Sequence, residues 1–185
     1  MKKMIEKYKY FTDENIPSLE EVLENRENRI EKIRSLQKSY TNKPILGFKL
    51  NIPGSQKTND AIIKIFKIGL NDIKLNLDKD NILYEKSYKL NTGPECFMVV
   101  DNDEIDLKKK MVNIEDNRYF GRLYDIDINY NGKNIDRKIV GENSRKCFLC
   151  NNYAKVCARS RKHSVGDMIR LIEKMIDEYE EIDER

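Results

Sequence analysis

Two rhythms of apolar and polar positions divide the chain. Over residues 19–37 apolar side chains recur at Leu19, Val22, Leu23, Ile30, Ile33 and Leu36, which is helical spacing. Ser18, with Glu21 three residues on, supplies a capping-box start for that helix. Arg26 falls on the same stripe, either snorkelling to solvent or aimed at a site. Residues 44–52 read as a strand broken by the turn Pro53-Gly54-Ser55, and a helix is predicted from Thr58 or Asn59 with Ile62, Phe66, Gly69, Leu70 and Ile73 inward. Strands are predicted over 82–90, 96–100, 108–114, 124–129 and 135–140, with Asn131-Gly132 as a hairpin turn between the last two. Two helices close the chain, near 152–160 and from 165 to about 182, the second with Ile169, Ile172, Met175, Ile176 and Tyr179 on one stripe. Residues 1–18 read as a loosely ordered lead-in to one domain over 19–185. The pattern predicts an α+β domain whose antiparallel or mixed sheet carries helices on one face.

Composition narrows the function. At 185 residues, 39% hydrophobic and 36% charged, the chain can bury a core and faces water. A net charge of +3 is too mild for a general nucleic-acid binder. Its distribution says more: no acidic residue falls between Glu142 and Asp167, whereas acids dominate the segment that follows. Such local basicity suits one anionic ligand site. No stretch is apolar enough for a signal segment or a membrane span, so a cytoplasmic protein is expected. Three of the four cysteines crowd between Cys147 and Cys157, which in a reducing compartment suits a metal site or buried packing better than a disulfide framework.

The candidate chemistry lies in two stretches. On the strand after Gly121-Arg122, Asp125 and Asp127 project to one side while Ile126 and Ile128 face the core. Two carboxylates that close repel unless a cation sits between them, and Mg²⁺ takes such oxygen ligands; the plain alternative is a solvated strand face. Gly121 would permit close ligand approach, and Arg122 offers a phosphate fork. The second stretch has the spacing C-x2-C-x6-C-x5-H at Cys147, Cys150, Cys157 and His163, all zinc-binding types. Six residues place Cys157 and His163 on nearly opposite faces of a continuous helix, so joint ligation requires the helix to end near Ser160. Buried, reduced cysteines beside a substrate-facing histidine are the alternative. Arg159, Arg161 and Lys162, with Arg145 and Lys146 upstream, form either a solvated face or a polyphosphate cradle. Lys57 and the turn Thr92-Gly93-Pro94-Glu95 are further ligand-facing candidates, and Lys108-Lys109-Lys110 is a candidate basic patch.

These residues resemble the citrate lyase holo-acyl-carrier-protein synthase family, also called apo-citrate lyase phosphoribosyl-dephospho-CoA transferase. The resemblance rests on the blocks 23–29 (Leu-Glu-Asn-Arg-Glu-Asn-Arg), 51–57 (Asn-Ile-Pro-Gly-Ser-Gln-Lys), 92–95, 121–127, and 145–150 leading to 157–163. Ser55 departs from it, since the family usually has a second proline there. The resemblance implies a nucleotidyltransferase that takes triphosphoribosyl-dephospho-CoA and attaches its phosphoribosyl-dephospho-CoA part to a serine of the citrate lyase acyl carrier protein, releasing pyrophosphate. On that reading Asp125 and Asp127 hold Mg²⁺ and help deprotonate the serine. Arg122, Lys57, Arg145, Arg159 and Arg161 bind the triphosphate, His163 serves the leaving pyrophosphate, and the Lys108–Lys110 patch meets the acidic carrier. By the Asp-x-Asp strand alone the fold is also similar to a nucleotidyltransferase palm. No nucleic-acid or membrane partner is expected. The rival reading is a non-catalytic zinc module that binds RNA or a protein partner through the basic segment.

Overall fold

In β4 (Tyr124–Tyr130) the residues Tyr124, Ile126 and Ile128 are buried, while Asp125, Asp127 and Asn129 between them are partly open. That alternation fixes which face of the sheet meets the core. The computed structural model describes residues 8–12, 14–150 and 152–183. Its other elements are α1 (Leu19–Ser39), β1 (Ile45–Leu50), α2 (Asp60–Leu75), β2 (Ile82–Leu90), β3 (Gly93–Val100), α3 (Glu104–Asn117), β5 (Lys133–Ile135), α4 (Ala154–Ser160) and α5 (Val165–Asp183). The strands form one antiparallel sheet in the order β2-β3-β1-β4-β5, which is the expected α+β class.

One face of the sheet, built by Leu46, Phe48, Met98, Val100 and the β4 residues, packs on α2, α3 and α5 through Ile62, Phe66, Met111, Ile114, Ile172 and Ile176. A Cβ at Gly69 of α2 would stand 2.6 Å from the Phe48 ring and 2.8 Å from Tyr124, so glycine sets how closely that helix approaches. The opposite face carries a smaller cluster of Leu36, Ile45, Phe97 and Val99, covered by the C-terminal half of α1. Ser18 caps α1 as predicted, its side chain accepting from Glu21 N–H. The rest of the expected apolar stripe of α1 stays open: Leu19 is 74% and Ile30 50% exposed. Beneath that part of α1 lies a hollow whose floor includes Asp127, Asn129 and Asn134, so those side chains do not close onto the sheet.

Three other expectations change. Residues 108–114 belong to α3, not to a strand. Asp103 caps that helix by accepting from the Ile105 and Asp106 N–H groups, and Leu107, Met111 and Ile114 recur inward at helical spacing. The Lys108–Lys110 patch is thereby broken up, because Lys108 is 5% exposed and donates its Nζ to Ile126 O at 2.9 Å. The strand expected over 135–140 stops at Ile135, where the Asp136 side chain accepts from Lys138 N–H and Ile139 N–H and turns the chain. The β4–β5 hairpin itself turns at Asn131 and Gly132, both with positive φ, as a two-residue loop requires. Of the expected lead-in, residues 1–7 and 13 lie outside the described residues. Within 8–12, Phe11 is buried in the main core, and Tyr10 OH donates to Asp177 at 2.7 Å.

Candidate active site

The face of the sheet that α1 leaves half covered holds the carboxylate pair. Asp125 and Asp127 lie opposite Lys49 and Gly47 of β1 in register, and Lys49 Nζ is 3.2 Å from Asp125. Burial, then the charge of Asp125, pushes the carboxyl of Asp127 above the usual carboxylate range. The anion at Asp127 is therefore under-compensated, which is the condition a cation would relieve.

Two hollows reach this pair, and a third adjoins them through shared lining residues. The largest, of about 740 Å³, runs between α1 and the sheet, with Asp127, Asn129 and Asn134 on its floor and Asn25, Arg26, Arg29, Asn51, Lys57 and Thr92 around it. A cleft of about 260 Å³ is lined by both aspartates together with Arg145 and Lys155. A third cavity, of about 550 Å³, holds Arg122, Arg145, Phe148, Cys157, Arg161 and His163. Asp127 lines the first two hollows, Arg145 the last two, and Asn51 the first and third.

The cations differ in how far their charge is already used. Arg29 is spent on Glu95 at 2.6 Å beneath α1. Lys57 Nζ donates to Ile52 O at 2.6 Å, and burial lowers its pKa. Arg145 donates to Tyr124 O and pairs with Glu115 at 2.7 Å. Arg26 and Arg122, in contrast, hold no hydrogen bond or ion pair among the described residues. Burial, then Arg145, disfavours the charge of Arg122, which an arginine keeps, so a bound anion would be welcome there.

Glu115 organises the edge of β4. Three-residue β5 covers only the far end of that edge, leaving Ile126 without a strand partner on its outer side. Glu115, 3% exposed, accepts from Ile126 N–H at 3.0 Å and also receives Arg137 at 2.8 Å. Lys108, one turn pair earlier on α3, takes the Ile126 carbonyl. Gly121 has a different role from the one expected: a Cβ there would lie 2.4 Å from Ile114 O, so glycine serves the packing of the chain against the end of α3.

The cysteine segment folds as a knuckle followed by a short helix. Cys147 N–H donates to Asn152 O at 2.7 Å, and Lys146 bridges Tyr153. Helix α4 ends at Ser160, and Arg161 adopts φ 49°, turning the chain back. His163 Nε2 thereby comes to 3.2 Å from Cys150 Sγ, and Cys150 Sγ lies 3.5 Å from Cys157 Sγ. The Asn152 N–H and then His163 push the Cys150 thiol down to about 6, while burial pushes Cys157 up to about 11. The condition that the helix end near Ser160 is met.

The structure thus brings Asp125, Asp127, Lys57 and Arg145 to one place, and groups Arg122, Arg161 and His163 in the adjoining cavity. Arg159 is exposed on α4 and lines none of the three hollows. Asn25, Arg29 and Asn51 were not singled out as site residues, although they sit in the blocks 23–29 and 51–57, whereas Arg26 and the turn at Thr92 were weighed as candidates and line the same hollow. The hydroxyl of Thr92 is buried without a hydrogen-bond partner, so it has a donor to offer a ligand.

A family model described as apo-citrate lyase phosphoribosyl-dephospho-CoA transferase matches residues 17–179. A Streptococcus pyogenes protein named probable apo-citrate lyase phosphoribosyl-dephospho-CoA transferase is 35% identical over 174 residues, covering 92% of this chain and 90% of that protein. A Vibrio cholerae protein of the same name is 34% identical over 171 residues, covering 88% and 93%. Protein CitXG of Leuconostoc mesenteroides is 32% identical over 174 residues, 92% of this chain but 37% of that longer protein.

Proposed function

The chain belongs to the apo-citrate lyase phosphoribosyl-dephospho-CoA transferase family, and from that premise we propose a nucleotidyl transfer onto a carrier-protein serine. The donor is triphosphoribosyl-dephospho-CoA and the acceptor is a serine of the citrate lyase acyl carrier protein, in the cytoplasm. The serine oxygen attacks the α-phosphorus of the donor's 5′-triphosphate. The bond from that phosphorus to the pyrophosphate oxygen breaks, the serine proton leaves to the carboxylate pair, and a phosphodiester joins serine to ribose. Pyrophosphate departs.

The observation that carries this reading is the half-buried, under-compensated carboxylate of Asp127 beside Asp125, lining two adjoining hollows. Two carboxylates on one strand face are the oxygen donors that a hard divalent cation takes, so Asp125 and Asp127 fit Mg²⁺. When bound, the ion would neutralise charge on the leaving pyrophosphate. The chain's own residues do the positioning. Arg26, Lys57 and Thr92 approach from the α1 side, and Arg122, Arg145 and Arg161 from the α4 side, supplying fixed donors to phosphate oxygens.

The test combines purified protein, donor, Mg²⁺ and apo carrier protein, reading pyrophosphate release and the mass gained by the carrier. One pyrophosphate should appear per modified carrier, and a carrier with its acceptor serine changed to alanine should release none. An Asp127→Asn variant that keeps a near wild-type rate would overturn the carboxylate assignment. Protein that carries zinc yet shows no Mg²⁺-dependent transfer would instead favour the non-catalytic binding module.

A further inference from the structure

The segment between β5 and α5 lacks a core of its own. Between Ile135 and Ile169, Cys157 alone among the described residues belongs to the buried hydrophobic set. Helix α4 has seven residues, too few to be stable without a tertiary anchor. Yet this segment forms one wall of the Arg122–Arg161 cavity, so something must fasten it. Small units short of apolar core are commonly held by a disulfide or a metal.

We propose that Cys147, Cys150, Cys157 and His163 bind one structural zinc ion that fastens this segment. The four ligand atoms all lie within 4.8 Å of one another. A tetrahedral zinc with Zn–S of ~2.3 Å and Zn–N of ~2.0 Å separates its ligand atoms by about 3.5–3.8 Å. Cys150 Sγ is 3.5 Å from Cys157 Sγ and 3.2 Å from His163 Nε2, close to that requirement. A 3.5 Å separation is far beyond a disulfide bond of about 2.05 Å. Three thiols and an imidazole are also a soft donor set, suited to zinc and not to the Mg²⁺ expected at the aspartates.

Local folding delivers each ligand. The pairing of Cys147 N–H with Asn152 O closes the knuckle carrying the first two cysteines. Cys157 sits on the buried side of α4. The left-handed Arg161, with Lys162 N–H donating to Cys157 O at 3.1 Å, ends the helix and swings His163 back to the sulfurs. The site gives His163 a ligand's role in place of proton chemistry, and it fixes Arg161 on the cavity wall. It stands independently of the transfer reading, since the aspartates take no part.

The test needs no activity assay. Protein purified without added metal should carry one zinc per chain by elemental analysis. Three thiols should resist a thiol reagent until a strong chelator is added, and then react together. Cobalt(II) in place of zinc should show the visible bands of tetrahedral thiolate coordination. Cys150→Ser should lose the zinc, whereas Cys96→Ala, whose sulfur lies in the main core, should keep it. If Cys150→Ser does not fold, the stoichiometry and cobalt spectrum of the unaltered protein still decide. Zinc-free folded protein with all three thiols reactive overturns the proposal, as does a Cys150–Cys157 disulfide found by mass.

Discussion

Asp127 is where the cost of the site is concentrated in a single residue. Burial and the neighbouring Asp125 raise its folded-state pKa above the unfolded value, so the folded protein holds that proton more tightly. By linkage, the ionised carboxylate lowers stability as pH rises through the raised pKa, and the effect disappears below the ordinary Asp value of about 3.9. Asp127→Asn removes the charge while keeping the shape. Without Mg²⁺ the variant should gain about 0.5–2 kcal/mol at neutral pH. For a chain of this size each kcal/mol moves Tm by about 2–4 °C. The gain should shrink towards zero as pH is lowered to about 4. Transfer should meanwhile fall by a factor of about 100 or more, as for loss of a group that stabilises transition-state charge. Thermal melts at several pH values and the pyrophosphate assay measure the two effects; an Asp127→Asn variant less stable than its parent at pH 7 would contradict the burial argument.

Among the elements, β4 carries the paired aspartates and α3 holds it still. Glu115 and Lys108 stand two helical turns apart on α3, and together they satisfy both outward backbone groups of Ile126, the residue between the two aspartates. Glu115 also compensates Arg137 and Arg145. Glu115→Ala would take from Arg145 its carboxylate and leave a buried N–H unpaired, with Arg137 held by Asp116 alone, and should cost about 3–5 kcal/mol. Lys108→Met leaves one carbonyl unpaired and should cost about 1–3 kcal/mol. Urea denaturation of each variant measures these losses, and near-neutral values would mean that water replaces the side chains. Strict alternation over Tyr124 to Ile128 made β4 and its acidic face legible in the sequence, because one side is buried and the other is not. The end of α4 was legible as a condition on the ligands. Helix α3 was not, since Lys108-Lys109-Lys110 masks the spacing of Leu107, Met111 and Ile114, although Asp103 signalled its cap. The exposed half of α1 was illegible for another reason: whether an apolar stripe is buried depends on the strands beneath it, which local sequence does not contain.

At the scale of the molecule, the proposed donor can be set against the way the hollows adjoin. Triphosphoribosyl-dephospho-CoA carries two separated anionic groups, the triphosphate and the diphosphate within dephospho-CoA. The protein presents uncommitted arginines in two different hollows, Arg26 from α1 and Arg122 from the turn before β4. Sequence proximity favoured Arg159, which sits in the densest basic run but lines none of the hollows, while Arg26 reaches the site across roughly 100 residues of chain only because α1 lies over the sheet. A charge-assisted hydrogen bond to phosphate is worth about 1.5–3 kcal/mol, or a factor of roughly 10 to 100. Arg26→Ala and Arg122→Ala should each lower kcat/KM for the donor by that factor, with transition-state and ground-state shares separated by the change in KM. Arg159→Ala should stay within about twofold of the parent, as for a surface substitution away from any site. A large loss at Arg159 with none at Arg26 would move the donor out of the cavity beneath α1 and onto the outer face of α4.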